Sequence, residues 1–424
     1  MTDPEIPASL ALYRAATSMA QPFVGVLVAH RARRGKEDIA RAAEREGVAA
    51  RPRPEGRLVW LHGASVGETV SLLPVVGRLC ERAVNVVLTS VTTTSAEILA
   101  RRLPPGALHQ YAPFDMPRFM RGFLDHWRPD LALFAESELW PNAIIEARRR
   151  GIPLGLLNAR MSARSLRRWR RLPRTIATLT GCFDFCLAQS TADAERYRFL
   201  GAYQVKAIGN LKYDVPAPPA DQVELAALKG MTAGRQILLA ASTHAGEEEI
   251  LAFAHRELAG RFPGLLTIIV PRHPQRGAEI ASVVGAAGLR PALRSRGAGP
   301  DKACDVYVAD TVGELGLFYR LTPIVFMGKS LVPHGGQNPI EPAKLGAAIL
   351  HGPHVQNFAE VYTVLDAAGG AHSVADAAAL PRAFADMIDN PRALRDMARN
   401  AGLAVEKLTG AVDRTMQAIE PYLG

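Results

Sequence analysis

The amino-acid sequence predicts an α/β fold with two doubly wound domains, each a parallel β-sheet covered by helices on both faces. The chain has 424 residues, which is more than a single hydrophobic core usually holds. Short apolar runs alternate with helical stretches in both halves, as they do in successive βαβ units. The proline-rich segment at residues 215–219 interrupts this alternation and marks the boundary between the domains.

Ten apolar runs are predicted to be strands, five in each half. They lie at residues 58–61, 84–90, 130–135, 152–157 and 183–188, and then at 236–240, 265–270, 305–309, 323–327 and 348–350. Helices are predicted between them, for example at residues 71–82 and 247–259. Two such sheets are expected to place the carboxyl ends of their strands around one interdomain crevice, where open parallel sheets bind ligands.

The net positive charge of the chain is confined to its first half. Residues 1–214 carry 31 Lys and Arg against 20 Asp and Glu, whereas residues 215–424 carry 19 against 21. Ten arginines and no acidic residue lie between Arg148 and Arg174. This run has one aromatic residue, Trp169, and no recognition motif, so phosphate groups on a lipid are favoured over nucleic acid. A solvated surface is the alternative.

The N-terminal segment is expected to lie on a membrane surface. Residues 9–29 are apolar, but Arg14, Gln21 and Pro22 interrupt them, so they fall short of the roughly 20 apolar residues that a spanning helix needs. A basic cluster at residues 31–36 follows, and this combination favours an anionic leaflet. The alternative is a terminal helix that packs on its own domain.

Phosphate-binding features follow two strands of the second half. The loop at residues 271–276 carries Arg272 just beyond a strand and is expected to hold a phosphate, unless it is only a solvated loop. Asp310 or Thr311 is expected to cap the helix after the next strand, so that the first-turn N–H groups of this helix face the crevice.

A glycine-rich loop leads to a further helix start at residues 338–341. Asn338 is a good helix cap, Pro339 suits the first helical position, and Glu341 stands three residues after the cap. An ordinary capping box would explain this pattern. The functional interpretation is an anion site in which the Glu341 carboxylate accepts hydrogen bonds from vicinal ribose hydroxyls, as a sugar-nucleotide glycosyltransferase requires.

Charged residues also follow strands of the first half. Glu68 stands at a predicted helix start after a small-residue loop and is a candidate general base, although the helix N-terminus alone would stabilise its carboxylate. Glu136 and Glu138 directly follow a buried apolar strand, where plain surface acids are uncommon. Lys212 follows a later strand and adds a cation near the crevice.

Eight ordered segments resemble the 3-deoxy-D-manno-octulosonic acid (Kdo) transferases, which add Kdo to lipid A precursor in Gram-negative bacteria. The segments are HGASVGE (62–68), APFD (112–115), AESELWPN (135–142), NARMS (158–162), GNLKYD (209–214), PRHPQR (271–276), DTVGELG (310–316) and GGQNPIEP (335–342). The resemblance implies a GT-B fold, with two Rossmann-like domains facing an interdomain cleft. It also implies a short N-terminal membrane anchor and neither a metal ion nor another cofactor.

The resemblance also assigns site residues and partners. Glu68 would be the proton acceptor, while Glu138 and Lys212 would stabilise the transition state. The CMP site would comprise Pro271, Arg272, Val312, Gly313, Glu314, Asn338, Pro339, Ile340 and Glu341. The expected partners are CMP-Kdo, a phosphorylated lipid A precursor and the anionic cytoplasmic face of the inner membrane, with no nucleic acid, and the expected reaction is an inverting transfer.

The expected domains are a membrane-associating segment at residues 1–36, an acceptor-binding domain at 37–214 and a CMP-sugar donor-binding domain at 215–424. Two alternatives stay open. Another GT-B enzyme, such as a nucleotide-sugar epimerase, would share the second-half motifs but have little use for the arginine run. A non-catalytic lipid-phosphate binder would use the arginines but would not need the carboxylates of Glu68 and Glu138.

Overall fold

The computed structural model describes residues 6–424, and these confirm the predicted α/β architecture. The described residues divide into two compact units, one that extends to residue 215 and includes residues 409–424, and the other formed by residues 216–408. Each unit contains one seven-stranded sheet in which every pair of neighbouring strands is parallel. Helices connect most of the successive strands, as is usual in parallel sheets.

The strands are β1 (Leu58–His62), β2 (Asn85–Ser90), β3 (Ala107–Tyr111), β4 (Leu131–Ala135), β5 (Leu154–Ala159), β6 (Phe185–Ala188), β7 (Val205–Ala207), β8 (Ile237–Thr243), β9 (Leu266–Pro271), β10 (Pro291–Leu293), β11 (Val306–Val308), β12 (Ile324–Met327), β13 (Ala348–His351) and β14 (Ala371–Ser373). All ten predicted strands are confirmed to within a few residues. The four strands that were not predicted are the two edge strands of each sheet.

The α-helices are α1 (Ala8–Ala20), α2 (Val24–Arg33), α3 (Val66–Glu81), α4 (Thr93–Arg102), α5 (Pro117–Trp127), α6 (Pro141–Arg149), α7 (Ala163–Trp169), α8 (Pro173–Gly181), α9 (Thr191–Phe199), α10 (Gln222–Met231), α11 (Glu247–Ala259), α12 (Gly277–Ala286), α13 (Leu315–Tyr319), α14 (Ile340–Lys344), α15 (Ala359–Ala367), α16 (Ala379–Asp389), α17 (Pro391–Leu408) and α18 (Ala411–Leu423). Shorter 3₁₀ turns include Ile39–Glu46 and Leu211–Tyr213.

The strand order places a switch point in the middle of each sheet. The first sheet has the order β3-β2-β1-β4-β5-β6-β7, and the second has the order β10-β11-β9-β8-β12-β13-β14. In the first sheet the chain therefore builds outward in one direction from β1 and in the other from β4. The second sheet is built in the same way from β8 and β12, except that β11 lies between β9 and the edge strand β10. Ligands of doubly wound sheets bind outside the carboxyl ends of the strands at such a point.

The alternation of side chains along β1 fills a hydrophobic core on each face of the first sheet. Leu58 and Trp60 belong to one buried cluster, whereas Val59 and Leu61 belong to the other. Strands that are buried on both faces read as continuous apolar runs, which is why this strand was recognisable in the sequence.

The C-terminal helix α18 belongs to the first unit, although it was expected in the domain at residues 215–424. Its apolar residues, among them Val412 and Ile419, are buried in the core cluster that covers one face of the first sheet. The carboxylate of Asp214 accepts hydrogen bonds from the backbone N–H groups of Gly410 (2.7 Å) and Val412 (2.5 Å) at the helix start. The first unit is therefore discontinuous in sequence.

The N-terminal helices α1 and α2 are partly buried on the first unit and partly exposed. Leu10 and Val24 are buried, and Arg14 forms an ion pair with the buried Glu146 at 2.5 Å. Several large apolar side chains of the same helices are exposed, including Leu12, Met19, Phe23 and Val26. No helix between residues 6 and 424 has the length and apolar character needed to cross a bilayer. Residues 1–5 of the predicted membrane-associating segment lie outside the described residues.

Candidate active site

Glu68 lies in the first turn of α3, beyond the carboxyl end of β1. The helix begins at Val66, with Ser65 as its N-cap. One carboxylate oxygen of Glu68 accepts a hydrogen bond from the N–H of Ala64 at 2.7 Å, and the other accepts one from the hydroxyl of Ser65 at 2.8 Å. This reciprocal cap fixes the carboxylate, and each oxygen keeps a further lone pair for another donor.

Two more carboxylates lie beyond β4, the neighbour of β1 at the switch point. Glu138 accepts a hydrogen bond from the indole N–H of Trp140 at 2.6 Å, and its carboxylate lies 3.8 Å from the imidazole Nε2 of His62. Glu136 adopts a positive φ of 51°, a conformation that is uncommon for a residue with a side chain. The hydroxyl of Tyr197 donates to the carbonyl of Glu136 at 3.1 Å and so supports this turn.

Lys212 joins the same group of side chains from the 3₁₀ turn after β7. Its Nζ lies 2.5 Å from Oε1 of Glu136. The turn is held by Asn210, whose side-chain oxygen accepts from the N–H of Lys212, and by Asn158, whose side-chain oxygen accepts from the N–H of Leu211. The positions predicted for Glu68, Glu138 and Lys212 therefore belong to one end of one sheet, while their catalytic roles remain predictions.

The electrostatic environment shifts the pKa values of the two candidate catalytic carboxylates in opposite directions. Burial raises the pKa of Glu68, and the negative charges of Glu138 and Glu136 raise it further, against the hydrogen bonds from Ser65 and Ala64. Burial also tends to raise the pKa of Glu138, but His62 and the indole N–H of Trp140 outweigh it, and the pKa is lowered. Glu138 is thus held as an anion while Glu68 becomes the stronger base.

Sequence reasoning assigned no role to His62 or Trp140, and it singled out Glu136 beside Glu138 without predicting the ion pair of Glu136 with Lys212. His62 is buried, with 1% of its surface exposed, and its ring packs against the ring of Trp140 at a centroid distance of 4.5 Å. The sequence feature that could have indicated these residues is their position in the segments at residues 62–68 and 135–142, at the ends of β1 and β4.

The predicted nucleotide-binding residues lie at the carboxyl edge of the second sheet. Pro271 ends β9, and Arg272 follows it with an exposed side chain and a backbone hydrogen bond to Thr243. Val312 is exposed, and Gly313 has a φ of 88° with open space around its Cα. A glycine suits this left-handed conformation and lets a ligand approach the backbone closely.

The expected cap of the following helix is wrong. Helix α13 begins only at Leu315, because the Asp310 carboxylate instead accepts hydrogen bonds from the N–H and hydroxyl of Ser295, and Thr311 hydrogen-bonds to the side chain of Glu314. The guanidinium of Arg294 also donates two hydrogen bonds to the Glu314 carboxylate at 2.6 Å, and these bonds lower the pKa of Glu314. Arg294 was not recognised in the sequence.

The last predicted helix start is shifted by one residue. Pro339 is the residue before α14, which begins at Ile340 instead of at the proline. The side-chain oxygen of Asn338 nevertheless accepts a hydrogen bond from the N–H of Ile340 at 3.1 Å. Asn338 therefore still organises this helix start, Ile340 is buried in the core, and Glu341 stands in the first turn.

Three histidines near this edge were not predicted as site residues. His244 follows β8, and its ring centroid lies 5.6 Å from that of His273 and 6.1 Å from that of His334. Burial lowers the pKa of His244, and the neighbouring Lys329 and both other histidines add to this effect. The sequence feature that could have indicated them is that each histidine lies shortly after the end of a strand.

The arginine run divides into two groups. Arg148 is paired with Asp184 at 3.1 Å and Arg150 with Asp125 at 2.7 Å, so the first group neutralises acids of neighbouring elements. Within residues 6–424, the later arginines form no ion pair with a carboxylate; they are Arg160, Arg164, Arg167, Arg168, Arg170, Arg171 and Arg174. Only this second group is available to an anionic partner.

Comparison with solved structures defines the class of fold. A glycosyltransferase from Rickettsia africae aligns with a TM-score of 0.60 and 12% identity over 87% of this chain and 99% of that chain. The UDP-GlcNAc 2-epimerase of Neisseria meningitidis aligns with a TM-score of 0.57 and 14% identity over 86% of this chain and 100% of that chain. The two sheets and their switch points are those of the two-domain, Rossmann-like GT-B fold.

Sequence comparison then identifies the family. Residues 40–215 match the family described as 3-deoxy-D-manno-octulosonic-acid transferase (kdotransferase). The 3-deoxy-D-manno-octulosonic acid transferase of Bordetella pertussis is 34% identical over 95% of this chain and 97% of that protein, and the one of Haemophilus influenzae is 32% identical over 90% and 91%. The probable mitochondrial transferase of Arabidopsis thaliana is 36% identical over 84% and 82%. The chain belongs to the Kdo transferase family.

Proposed function

We propose that this protein transfers Kdo from CMP-Kdo to a phosphorylated lipid A precursor, by an inverting displacement that needs no metal ion. The observation that carries the proposal is that the carboxylates of Glu68 and Glu138 interact electrostatically at the switch point of the first sheet. Neighbouring carboxylates whose pKa values are moved in opposite directions are typical of a general base beside a fixed anion.

The reaction follows from these charges. Glu68 takes the proton of the acceptor hydroxyl while the hydroxyl oxygen bonds to the anomeric carbon of Kdo. The bond from this carbon to the phosphate oxygen of CMP breaks, and its electron pair leaves with CMP. The Glu138 anion stabilises the positive charge that develops on the sugar, and Lys212 stabilises the negative charge that develops on the leaving group.

The second unit is proposed to bind the nucleotide. Arg272 is exposed just beyond β9, where it can pair with the phosphate. Because Arg294 already occupies the Glu314 carboxylate, we expect the segment at 312–314 to contact CMP through its backbone N–H groups beside Gly313. Asn338 and Glu341 complete the proposed site, with Glu341 directed to the ribose hydroxyls.

The acceptor is proposed to be reached at an anionic membrane surface. Exposed apolar side chains on α1 and α2, such as Phe23 and Val26, are suited to the acyl boundary of a leaflet. The unpaired arginines around α7 supply positive charge on the same unit. Phosphate groups of the lipid A precursor and of the surrounding lipids would neutralise them.

The direct test is transfer of labelled Kdo from CMP-Kdo to purified lipid A precursor by the full chain. Mass spectrometry of the lipid product should show one or more added Kdo residues, and NMR should show inversion at the anomeric carbon. Activity should survive EDTA. Label that remains in soluble products, as in a nucleotide-sugar epimerase, would refute the proposed transfer, and inhibition by EDTA would refute its metal independence.

A further inference from the structure

His62 is a buried polar residue to which the reaction above gives no part. It ends β1, and aromatic rings surround it, with centroid distances of 4.5 Å to Trp140, 5.7 Å to Phe134 and 6.4 Å to Trp60. Its Nε2 has no hydrogen-bond partner within residues 6–424 and lies 3.8 Å from Oε2 of Glu138. A buried nitrogen in this position needs an explanation.

The contacts of the Thr89 hydroxyl and of the Glu138 carboxylate indicate which nitrogen of His62 carries the proton. The hydroxyl oxygen of Thr89 accepts from the indole N–H of Trp60 at 2.9 Å, because an indole N–H can only donate. It lies 2.9 Å from Nδ1 of His62 and 3.3 Å from the carbonyl of Leu61. The Thr89 hydroxyl has one hydrogen for two acceptors. The shorter distance to Nδ1, together with the Glu138 carboxylate that faces Nε2, favours the neutral tautomer with its proton on Nε2.

Such a tautomer turns an N–H group toward the Glu138 carboxylate. Trp140 already donates to the same oxygen at 2.6 Å, so the nitrogens of two rings lie near this oxygen. A separation of 3.8 Å is longer than a hydrogen bond, and the interaction is electrostatic at this distance. Catalytic hydrogen bonds are often long without substrate and shorten in the reacting complex.

We propose that His62 is a positioning residue for the transfer reaction, in which its Nε2–H group, oriented by Thr89, holds the Glu138 carboxylate as an anion beside Glu68. This inference rests on the proposed function. The titratable groups that face Glu68, Glu138 and His62 are Glu136 with its ion-pair partner Lys212, Tyr197 and Asp115. Hydrogen bonds to a charged group are strong enough that the loss of one is expected to cost about 10- to 100-fold in kcat.

The test compares His62→Leu with His62→Gln, whose amide keeps an N–H donor at the end of the side chain. His62→Leu should lower kcat about 10- to 100-fold with little change in either KM, and His62→Gln should restore part of the loss. The acid limb of the kcat/KM profile should move to higher pH in His62→Leu, because Glu138 then holds its proton more tightly. A matched control is His255→Leu, which removes a buried histidine whose Nδ1 also lies 2.9 Å from a threonine hydroxyl, in the second unit.

A second measurement does not depend on transfer. Carboxyl-labelled glutamate gives an NMR titration in which the Glu138 signal is identified by its loss in Glu138→Gln. Its midpoint should rise by about one pH unit in His62→Leu and stay unchanged in His255→Leu. An unchanged Glu138 midpoint in folded His62→Leu would overturn the positioning role, even if wild-type transfer is intact. Absence of transfer by the wild type would refute the proposed function and leave this titration interpretable by itself.

Discussion

The Nζ atom of Lys212 lies 2.5 Å from Oε1 of Glu136, so the candidate catalytic cation is paired with a carboxylate before any substrate binds. The positive φ of Glu136 directs its side chain from the end of β4, and the turn at residues 211–213 brings the lysine to it. The pair fixes a long, flexible ammonium side chain without burying it completely. A fixed cation stabilises developing charge more effectively than a mobile one.

We therefore expect Lys212→Gln to lower kcat by about 100-fold, with less than a threefold change in the KM for the donor. Lys206→Gln is the matched control, since Lys206 is an exposed lysine on the nearby strand β7 and forms no ion pair within residues 6–424. Steady-state kinetics on both variants measure the effect. Equal losses in the two variants would show that Lys212 contributes only general positive charge.

Replacement of Glu68 separates its chemistry from its role in the helix cap. Glutamine can keep the reciprocal cap with Ser65 but cannot accept a proton, so Glu68→Gln should lower transfer by about 10²–10⁴-fold with little change in stability. Glu68→Ala should lose the cap as well, at a cost of about 1 kcal/mol in the free energy of unfolding. Transfer assays and urea unfolding give both numbers. Turnover near the wild-type rate in Glu68→Gln would exclude a general-base role.

The attachment of α18 to the first unit can be measured by fluorescence. All four tryptophans, at positions 60, 127, 140 and 169, lie in this unit, so tryptophan emission reports its unfolding alone. Asp214→Ala removes two hydrogen bonds from N–H groups to a carboxylate and should lower the free energy of unfolding by about 1–3 kcal/mol. The control Asp413→Ala breaks only an exposed ion pair with Arg78 and should change it by less than about 1 kcal/mol. Indistinguishable midpoints would contradict the assigned helix start.

Binding to anionic vesicles should depend on the unpaired arginines. Replacing Arg167, Arg168, Arg170 and Arg171 together by Gln should weaken co-sedimentation at low salt and raise the KM for the phosphorylated acceptor, because each contact with an anionic surface contributes about 1 kcal/mol. The difference should shrink at high salt, where screening acts within about 10 Å or less. Replacing the internally paired Arg150 by Gln is the control. Wild-type binding by the quadruple variant at low salt would mean that these arginines are only a solvated surface.

The sequence predicted the centre of each sheet better than its edges. The ten interior strands are buried on both faces and read as apolar runs, whereas the edge strands β7, β10 and β14 have only three residues each and β3 contains His109 and Gln110. Edge strands are covered on fewer sides and do not need a continuous apolar sequence. Helix α18 was assigned to the wrong unit because amphipathic periodicity does not say which sheet a helix covers.

The candidate site was predictable where chemistry follows a strand end directly. Glu68, Glu138 and Lys212 were singled out in this way, and their catalytic roles stay predictions. The capping predictions for Asp310 and Thr311 were wrong, because these side chains bind Ser295 and Glu314 instead. The Thr89–His62–Glu138 arrangement depends on contacts between three different strands or their loops, which local sequence does not encode.

The most direct test of the account is the pH dependence of kcat/KM for Kdo transfer by wild type and Glu138→Gln. Glu68 must be deprotonated to act, and the Glu138 charge raises its pKa, so removal of that charge should lower the pKa of Glu68. The account predicts a lower plateau rate and an acid limb displaced to lower pH, opposite in direction to the shift expected for His62→Leu. An acid limb that stays in place or moves to higher pH in Glu138→Gln would contradict the claim that these two carboxylates form one electrostatically coupled catalytic site.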